Sequence, residues 1–281
     1  MKNIENAKHT TLVLGATGKT GSRIVARLNA LGVPTRVGSR SAGPAFDWND
    51  SSNWDQVLSG VTNAYVNFAP DLAIPGAQDS IRQFIDLAIE KGVKRVVLLS
   101  GRGEEEAQRC EEVIQRDDLE WTVVRASWFA QNFSEGEFME MVMSGHVVLP
   151  AGNVKEPFVD VDDIAGVAVA ALTEEGHSGQ IYEVTGPRLM SFADAVNEIA
   201  IATGRNIQYQ QIPIEDFIEG IKAAGLPDDL VWLMEYLFTT VLDGRNEYLT
   251  DGVERALNRS PGDFSDYAKN AAAKGIWRYA A

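Results

Sequence analysis

Three glycines near the amino terminus have a spacing that suits phosphate binding. Gly15, Gly18 and Gly21 directly follow the apolar residues 12–14 and precede a run of apolar residues at helical spacing. A pyrophosphate can approach a backbone closely only where Cβ atoms are absent, and the N–H groups and dipole of a following helix then favour its charge. The order of strand, glycine turn and helix therefore predicts a dinucleotide-binding loop.

Two other interpretations of the same turn compete with this one. A Walker P-loop needs a glycine five residues before its Gly-Lys pair, and Val13 occupies that position, which argues against ATP hydrolysis. A glycine turn that only allows a helix to pack on a sheet would look similar, and this alternative stays open. The spacing G-x-x-G-x-x-G is the form typical of extended short-chain dehydrogenase/reductases.

The residues after the second predicted strand indicate which dinucleotide binds. A fold that prefers NAD usually places an acid there to bind the ribose 2′-hydroxyl, but this chain has Gly38, Ser39 and Arg40. Arg40 can pair with a 2′-phosphate, and Ser39 can donate a hydrogen bond to it. The sequence therefore predicts NADP(H) as the cofactor. Arg36 or Lys19 could make the phosphate contact in place of Arg40.

Two further loops are expected to reach this dinucleotide. Asp47 lies about where such folds contact adenine after the third strand, and Ala69 and Pro70 follow the next strand and should pass close to the ribose. Aspartate and proline are also common turn residues, so a purely local role for them stays open.

The elements that must position these loops alternate along the chain. Strands are predicted at residues 12–14, 35–37, 64–68, 95–100, 122–125, 181–185 and 207–212, and helices at 54–58, 75–91, 104–115 and 162–172. This alternation implies an α/β fold, a Rossmann-type doubly wound parallel sheet with a smaller C-terminal α/β cap. Ser191 and Asp194 predict a capping box at a further helix start.

The predicted organisation is a larger domain followed by a smaller one. We expect residues 1–150 to form the NAD(P)-binding Rossmann domain and residues 151–281 to complete the sheet and form the substrate cap. The apolar helix at residues 228–242 would cover a substrate, pack in the core or form a dimer face. The chain is expected to act as a monomer or a homodimer.

Composition excludes several classes of partner. A formal charge of −15 over 281 residues opposes nucleic-acid binding, and the acidic runs 104–106 and 117–118 fit solvated surface. One cysteine, Cys110, and three scattered histidines predict neither a disulfide nor a metal site. No apolar run reaches membrane-spanning length and no secretion signal is visible, so we expect no membrane partner and a cytoplasmic location.

Five segments of the chain are familiar as a set. They are residues 15–21 (GATGKTG), 96–100 (VVLLS), 121–133 (WTVVRASWFAQNF), 157–165 (PFVDVDDIA) and 182–187 (YEVTGP). Together they resemble the NmrA-like atypical short-chain dehydrogenase/reductases over nearly the whole chain. Residues 32–39 and 46–48 look most like the festuclavine dehydrogenase branch, whose members reduce an iminium with NADPH.

The resemblance implies hydride transfer from NADPH to a small electrophilic molecule such as an iminium, a quinone or an enone. It also implies that the coenzyme contacts Gly15, Thr17, Gly18, Lys19, Thr20, Gly21, Ser39, Arg40 and Ala69. Ser100, at a strand end, would lie near the nicotinamide as a tentative catalytic residue, or would simply be satisfied by backbone. Trp128, Phe129 and Asn132 would lie near the substrate mouth, although aromatic residues there could instead seal the core.

One departure from conventional short-chain dehydrogenases limits the mechanism. Those enzymes transfer protons through a Tyr-x-x-x-Lys pair, and none of the seven tyrosines here has a lysine four residues later. Carbonyl and alcohol chemistry that uses a tyrosine acid is therefore unsupported. The family also includes members that only sense the NADP redox state, so a non-catalytic NADP(H)-binding regulator is the alternative function.

Overall fold

The structure is a computed structural model that describes residues 10–136 and 138–278. Strands β1 to β10 lie at Thr10–Leu14, Thr35–Gly38, Val61–Val66, Arg95–Gly101, Glu120–Ala126, His146–Leu149, Lys155–Glu156, Gln180–Val184, Met190–Ser191 and Gln208–Gln211. Helices α1 to α12 lie at Lys19–Ala30, Trp54–Leu58, Ala77–Glu90, Glu105–Ile114, Asn132–Glu135, Met139–Ser144, Val161–Thr173, Phe192–Thr203, Ile214–Ala223, Asp228–Tyr236, Gly252–Leu257 and Phe264–Ala273. A π-helical turn at Leu237–Val241 continues α10.

The central sheet has six strands in the order β2-β1-β3-β4-β5-β8. Strand β1 pairs in parallel with β2 and with β3, and β3 pairs in parallel with β4. This arrangement confirms the predicted Rossmann-type α/β fold. Because parallel strands end at one edge of a sheet, the carboxyl ends of β1 to β4 lie along the same edge, which is where ligands bind in open α/β sheets.

The strands of this sheet are apolar because helices cover both of its faces. Leu12 and Leu14 of β1 and Val96 and Leu98 of β4 are fully buried. Helix α1 places Ile24 on its buried side, as the helical spacing of its apolar residues requires. A parallel strand that is buried on both faces consists of an almost continuous run of apolar residues. Such runs are the pattern from which the sequence predicts these strands.

Local structure confirms one predicted helix start and corrects another. The capping box of Ser191 and Asp194 begins α8 as predicted. Pro75 does not lie in the first turn of its helix, because α3 begins at Ala77 after a residue in the left-handed conformation.

Contacts within the chain define two compact units, and each is discontinuous in sequence. The first unit contains the residues up to Arg125 together with Ile164–Glu183 and Gly252–Arg259. The second contains Ala126–Asp163, Val184–Asp251 and the residues from Ser260 onward. The linear division into residues 1–150 and 151–281 stays a prediction.

The second unit has an aromatic core. Phe133, Phe158, Phe192 and Phe264 are buried there, with Phe158 and Phe192 in edge-to-face contact at 5.0 Å between ring centroids. Trp277 is also buried, and its indole Nε1 donates a hydrogen bond of 2.8 Å to the Phe133 carbonyl oxygen. Edge-to-face contacts add to the free energy that these rings gain from burial.

In residues 10–136 and 138–278 no helix is long and apolar enough to cross a membrane. The same residues contain no group of three or more His, Cys, Asp or Glu side chains that could hold a metal ion. The absence of a metal and the cytoplasmic location stay predictions.

Candidate coenzyme site

The turn between β1 and α1 is shaped by its glycines. Gly15 has a φ of +61°, and a Cβ atom there would lie 2.7 Å from Nδ2 of Asn67. A Cβ atom on Gly21 would overlap the carbonyl oxygen of Gly15 and lie 2.8 Å from the Cα of Ala16. The Gly18 N–H closes the turn with a hydrogen bond of 2.9 Å to the Gly15 carbonyl oxygen. A larger residue at Gly21 would therefore displace backbone, and one at Gly15 would meet the Asn67 side chain and strain a left-handed backbone conformation.

The start of α1 is suited to an anion. The helix begins after Gly18 with no side-chain cap and no acidic residue in its first turn. Thr17 and Gly18 are exposed and Lys19 is half-buried. The N–H groups of a first helical turn lack partners within the helix, and the helix dipole adds positive potential there. The residues present therefore fit the pyrophosphate of a dinucleotide, as the sequence predicts.

Thr20 has a different environment from its neighbours in the turn. It is 2% exposed, and its hydroxyl accepts a hydrogen bond of 2.9 Å from the hydroxyl of Tyr65 in β3. Burial raises the pKa of Tyr65 above its usual value, so the phenol remains a donor. The Thr20 side chain thus anchors α1 to the sheet, and its backbone N–H is the group that lies in the turn.

The end of β2 approaches the glycine turn closely. The Ala16 N–H donates a hydrogen bond of 3.4 Å to the Gly38 carbonyl oxygen, and a Cβ atom on Gly38 would lie 2.5 Å from Cδ2 of Leu14. Ser39 follows, half-buried, with its hydroxyl 3.3 Å from that of Ser41. A larger residue at Gly38 would therefore require the Leu14 side chain to move, which disfavours an acid at that position.

Two arginines near this strand end differ in what they contact. Arg36 donates hydrogen bonds of 2.6 Å to the carbonyl oxygens of Val57 and Ser59. The Arg40 side chain is exposed and contacts no hydrogen-bond or ion-pair partner within the described part of the chain. Arg36 is therefore committed to the backbone, which leaves Arg40 and Lys19 as the candidates for a 2′-phosphate.

Aromatic packing fixes the loop that carries Asp47 beside the end of β3. Trp48 Nε1 donates a hydrogen bond of 3.1 Å to the Asn67 carbonyl oxygen, and Trp54 Nε1 donates one of 2.9 Å to the Asp47 carbonyl oxygen. The Asp47 carboxylate accepts from the Asn49 N–H, as in a local Asx turn. No sequence motif indicates Asn67. Its side chain lies next to Gly15 because β1 pairs with β3.

Ala69 and Pro70 lie just beyond this point, and both are exposed. They belong to the loop that leaves β3 at the carboxyl edge of the sheet. A ligand at this edge could therefore reach them without moving the core.

Ser100, near the end of β4, belongs to a buried charged network. It is 4% exposed, and its hydroxyl donates a hydrogen bond of 2.6 Å to Oε1 of Glu111. Both oxygens of Glu111 accept from the Arg125 guanidinium, at 2.9 and 2.5 Å. Arg125 also donates to Glu183 at 2.6 Å. The Ser100 hydroxyl is thus satisfied by a carboxylate rather than by backbone, and only its lone pairs remain for a ligand.

Two carboxyl groups form a second cluster at the same edge. Glu104 follows β4, is 6% exposed and lies so close to Gly101 that a Cβ atom there would overlap Oε1 of the carboxylate. Its side chain is hydrogen-bonded to Asp71, and burial together with the Asp71 charge raises the pKa of Glu104 well above its usual value. Burial also raises the pKa of Asp71. The expectation that residue 104 is solvated surface is therefore wrong.

Cys110 packs beside these carboxyl groups. It is fully buried, and burial and the neighbouring charges of Asp71, Glu111 and Glu104 raise the pKa of its thiol to about 12. Only a thiolate is a strong nucleophile, so both burial and the raised pKa disfavour reaction of this thiol at neutral pH.

The three residues expected near a substrate belong to the second unit. Trp128 is half-buried and packs against Phe138, Phe192 and Phe238, with centroid distances of 6.2, 5.3 and 5.5 Å. Phe129 and Asn132 are also half-buried, and Asn132 begins α5. Each side chain therefore keeps an accessible part, while much of Trp128 seals an aromatic core.

The model of the NmrA-like family matches residues 7–267. Uncharacterized oxidoreductase YesF from Bacillus subtilis strain 168 is 32% identical over 273 residues, which are 93% of this chain and 95% of the relative. Festuclavine synthase II from Penicillium roqueforti strain FM164 is 30% identical over 292 residues, which cover 95% of this chain and 99% of the relative.

A solved structure with a similar backbone is that of the NADPH-dependent quinone oxidoreductase QOR2 from Escherichia coli, complexed with NADPH. The TM-score is 0.76 at 18% sequence identity, and the match covers 92% of this chain and 99% of the other. At that identity the likeness shows the fold.

Proposed function

Because this chain belongs to the NmrA-like family, as its motifs imply, we propose that it is an NADPH-dependent reductase of small electrophilic molecules. The observation that carries the proposal is the turn of Gly15, Gly18 and Gly21 in front of an uncapped helix that lacks early acidic residues. Relatives named festuclavine synthase and oxidoreductase, and a similar fold solved with NADPH, support the same conclusion.

The coenzyme would be held by residues of the first unit. The glycine turn would bind the pyrophosphate, with the backbone amides of Gly15, Gly18, Thr20 and Gly21 and the amides or side chains of Thr17 and Lys19. Ser39 and Arg40 would bind the 2′-phosphate, because Arg40 is exposed and Arg36 is engaged elsewhere. Asp47 would contact adenine, Ala69 and Pro70 the ribose, and Ser100 the nicotinamide.

The chemistry is hydride transfer, which bound NADPH supplies. The chain's own contribution is to orient the two reactants and to exclude water. Ser100 would accept a hydrogen bond from the nicotinamide carboxamide, since its own proton is already given to Glu111. It is therefore a positioning group rather than an acid.

The substrate would be a small molecule with a flat, electron-poor group, an iminium, a quinone or an enone. Trp128, Phe129 and Asn132 would line its binding site with partly exposed surface. We propose a cytoplasmic monomer or homodimer that binds neither nucleic acid nor membrane, because a formal charge of −15 repels polyanions.

Steady-state oxidation of NADPH with a panel of quinones, enones and cyclic iminium compounds tests the proposal. The expected result is turnover with at least one class, with NADPH preferred over NADH. Tight NADPH binding without turnover of any class would instead favour the redox-sensing regulator. Absence of binding to either nucleotide would contradict both functions.

A further inference from the structure

We propose that Asp71 and Glu104 form the proton-donating pair of this reductase, with Asp71 as the acid that contacts the substrate and Glu104 as its positioning residue. The inference rests on the proposed function and narrows it. It assigns the chain to substrates that gain an electron pair on oxygen during reduction, namely quinones and enones, rather than to iminium compounds, which accept hydride without a proton.

The first support is the position of the two residues in the sheet. Asp71 follows Ala69 and Pro70 in the loop after β3, and Glu104 lies in the turn after β4. These strands are parallel neighbours, so both carboxyl groups lie at the carboxyl edge of the sheet. Ligands of open α/β sheets bind at that edge.

The second support is the local geometry of Glu104. It stands at the N-cap position of α4, yet its side chain makes no capping hydrogen bond to that helix. The carboxylate instead packs against Gly101. A Cβ atom on residue 101 would overlap Oε1 of Glu104. Glu104 is 6% exposed, and within the described residues no N–H or hydroxyl group donates a hydrogen bond to its Oε2 atom. A carboxylate oxygen so deeply buried without such a donor is costly unless the carboxyl group holds a proton.

The third support is that the pair must hold a proton. Two ionised carboxylates are both acceptors, so a hydrogen bond between Asp71 and Glu104 requires a proton on one of them. The titratable groups that act on the pair are the carboxylates of Glu106 and Glu111 and the thiol of Cys110.

None of these three neighbouring groups is cationic. The nearby guanidinium groups pair with other carboxylates, Arg125 with Glu111 and Glu183, and Arg102 with Glu183. The charges around Asp71 and Glu104 therefore favour the protonated state of the pair.

The two members have different exposure, which separates their roles. Asp71 is half-buried and keeps part of its surface accessible, and one carboxylate oxygen is fixed by a hydrogen bond of 2.8 Å from the Ala73 N–H. Glu104 lies behind it, away from solvent. Asp71 is thus the member that a substrate can touch, and Glu104 sets its orientation and its affinity for the proton.

The proton balance of the step is simple. Hydride addition leaves an electron pair on a substrate oxygen. An O–H bond of the Asp71–Glu104 pair breaks and a new O–H bond forms on the substrate oxygen. The net charge of the pair therefore becomes more negative by one. Water returns one proton to the pair before the next cycle. The structure in this way replaces the missing Tyr-x-x-x-Lys acid with a carboxylic acid.

The test compares Asp71→Asn and Glu104→Gln with Asp79→Asn and Glu105→Gln, which make the same changes at exposed positions. The kcat is measured at saturating NADPH for a quinone and for a cyclic iminium. General acids contribute about a hundredfold or more to kcat. We expect Asp71→Asn to lower the quinone-to-iminium ratio of kcat by about that factor, and the controls to leave the ratio unchanged.

The pH dependence of quinone reduction distinguishes a positioning role of Glu104 from a role in packing alone. In Glu104→Gln the amide donates a hydrogen bond to the Asp71 carboxylate and removes a competing charge, so the pKa of Asp71 falls. The decline of quinone reduction at alkaline pH therefore moves to lower pH. A Glu104→Gln profile that coincides with wild type, or equal losses for both substrates in Asp71→Asn, overturns the donor role.

Infrared spectroscopy provides a measurement that does not depend on turnover. The carbonyl stretch of a protonated carboxylic acid should appear at neutral pH in the wild type and the controls, should be lost in Glu104→Gln, and should persist in Asp71→Asn, where burial alone keeps Glu104 protonated. Its absence from the wild type overturns the inference. If the band is present but no substrate is reduced by a protein that binds NADPH, the proposed function fails, and the donor role fails with it for that separate reason.

Discussion

The turns after β1 and after β4 leave the same edge of one sheet but are built from opposite kinds of residue. The first consists of glycines and small residues, and its shape comes from backbone that no Cβ atom may occupy. The second is filled by buried charged groups, with Ser100, Glu104 and Glu111 all at most 6% exposed. One turn offers amides to an anion, and the other holds carboxyl groups in a fixed array.

The difference shows how one sheet edge divides two tasks. Backbone amides bind a phosphate without a charged side chain. The first turn therefore requires room for the phosphate rather than particular polar side chains. Carboxyl groups that must keep a proton need burial and neighbouring charge, so the second turn needs long-range partners. Substitutions in the first turn should therefore weaken nucleotide binding, and substitutions in the second turn should lower the stability of the fold.

The largest effect is expected where the charged network loses Arg125. Arg125→Leu removes the guanidinium that pairs with the carboxylates of Glu111 and Glu183, while Glu183 keeps its ion pair with Arg102 at 3.5 Å. Removing one partner of a buried ion pair costs about 3–5 kcal/mol. Urea denaturation should show that loss in the free energy of unfolding. Arg116→Leu, which breaks exposed pairs with Asp86 and Asp118, should cost less than about 1 kcal/mol.

Equal losses in these two variants would mean that the network around Glu111 is no more buried in solution than a surface pair. The contrast between the two turns would then disappear, because the second turn would be an ordinary solvated loop.

The next effect is expected in the glycine turn. Gly21→Ala forces a Cβ atom into the Gly15 carbonyl group, so the turn must open and its amides no longer converge. Isothermal titration calorimetry should show NADPH affinity lower by about a hundredfold, or about 2.7 kcal/mol. Gly220→Ala adds the same methyl group in α9, where nothing lies within 4 Å, and should leave affinity unchanged. Unaltered binding by Gly21→Ala would contradict the placement of the pyrophosphate.

A smaller effect is expected at the 2′-phosphate. Arg40→Ala should weaken NADPH binding by about ten- to a hundredfold and leave NADH binding unchanged, because one charge-assisted contact is worth about 1.5–3 kcal/mol. Arg36→Ala should lower stability and keep the preference for NADPH, since the Arg36 guanidinium is bound to the Val57 and Ser59 carbonyl oxygens. A preference lost in Arg36→Ala and kept in Arg40→Ala would reverse the assignment.

The smallest effect is a pH dependence of stability at the second turn. The folded pKa of Glu104 is raised, so the folded state binds its proton more tightly than the unfolded chain does. This contribution is fully present below the unfolded pKa and is lost as pH rises toward the folded pKa, at about 1.4 kcal/mol for each unit of difference. Glu104→Gln cannot ionise, so its unfolding free energy should decline less between about pH 5 and pH 8.

The exposed neighbour supplies the control for this titration. Glu105→Gln should decline with pH as the wild type does, because Glu105 lies at the surface. If Glu104→Gln and the wild type give parallel curves, Glu104 titrates as a solvated carboxylate and the second turn does not store a proton.

The two turns also differ in how far the sequence predicts them. Gly15, Gly18 and Gly21 lie within one loop, so their spacing alone indicates the bend and the helix that follows. The partners of the second turn are distant along the chain, as Glu111 is from Arg125 and Asp71 is from Glu104. Residues 104–106 look like a solvated acidic run, and only strand pairing reveals that the first of them is buried. Motifs predict local geometry, whereas buried charge depends on the fold.

The central claim is that the glycine turn binds NADPH. Isothermal titration calorimetry of the purified chain tests this claim most directly. NADPH and NADH are titrated in separate runs, and buffer without nucleotide serves as the blank. The account predicts saturable heat with one site per chain, tighter binding of NADPH than of NADH, and loss of that heat in Gly21→Ala. No heat with either nucleotide, from protein shown to be folded, would contradict it.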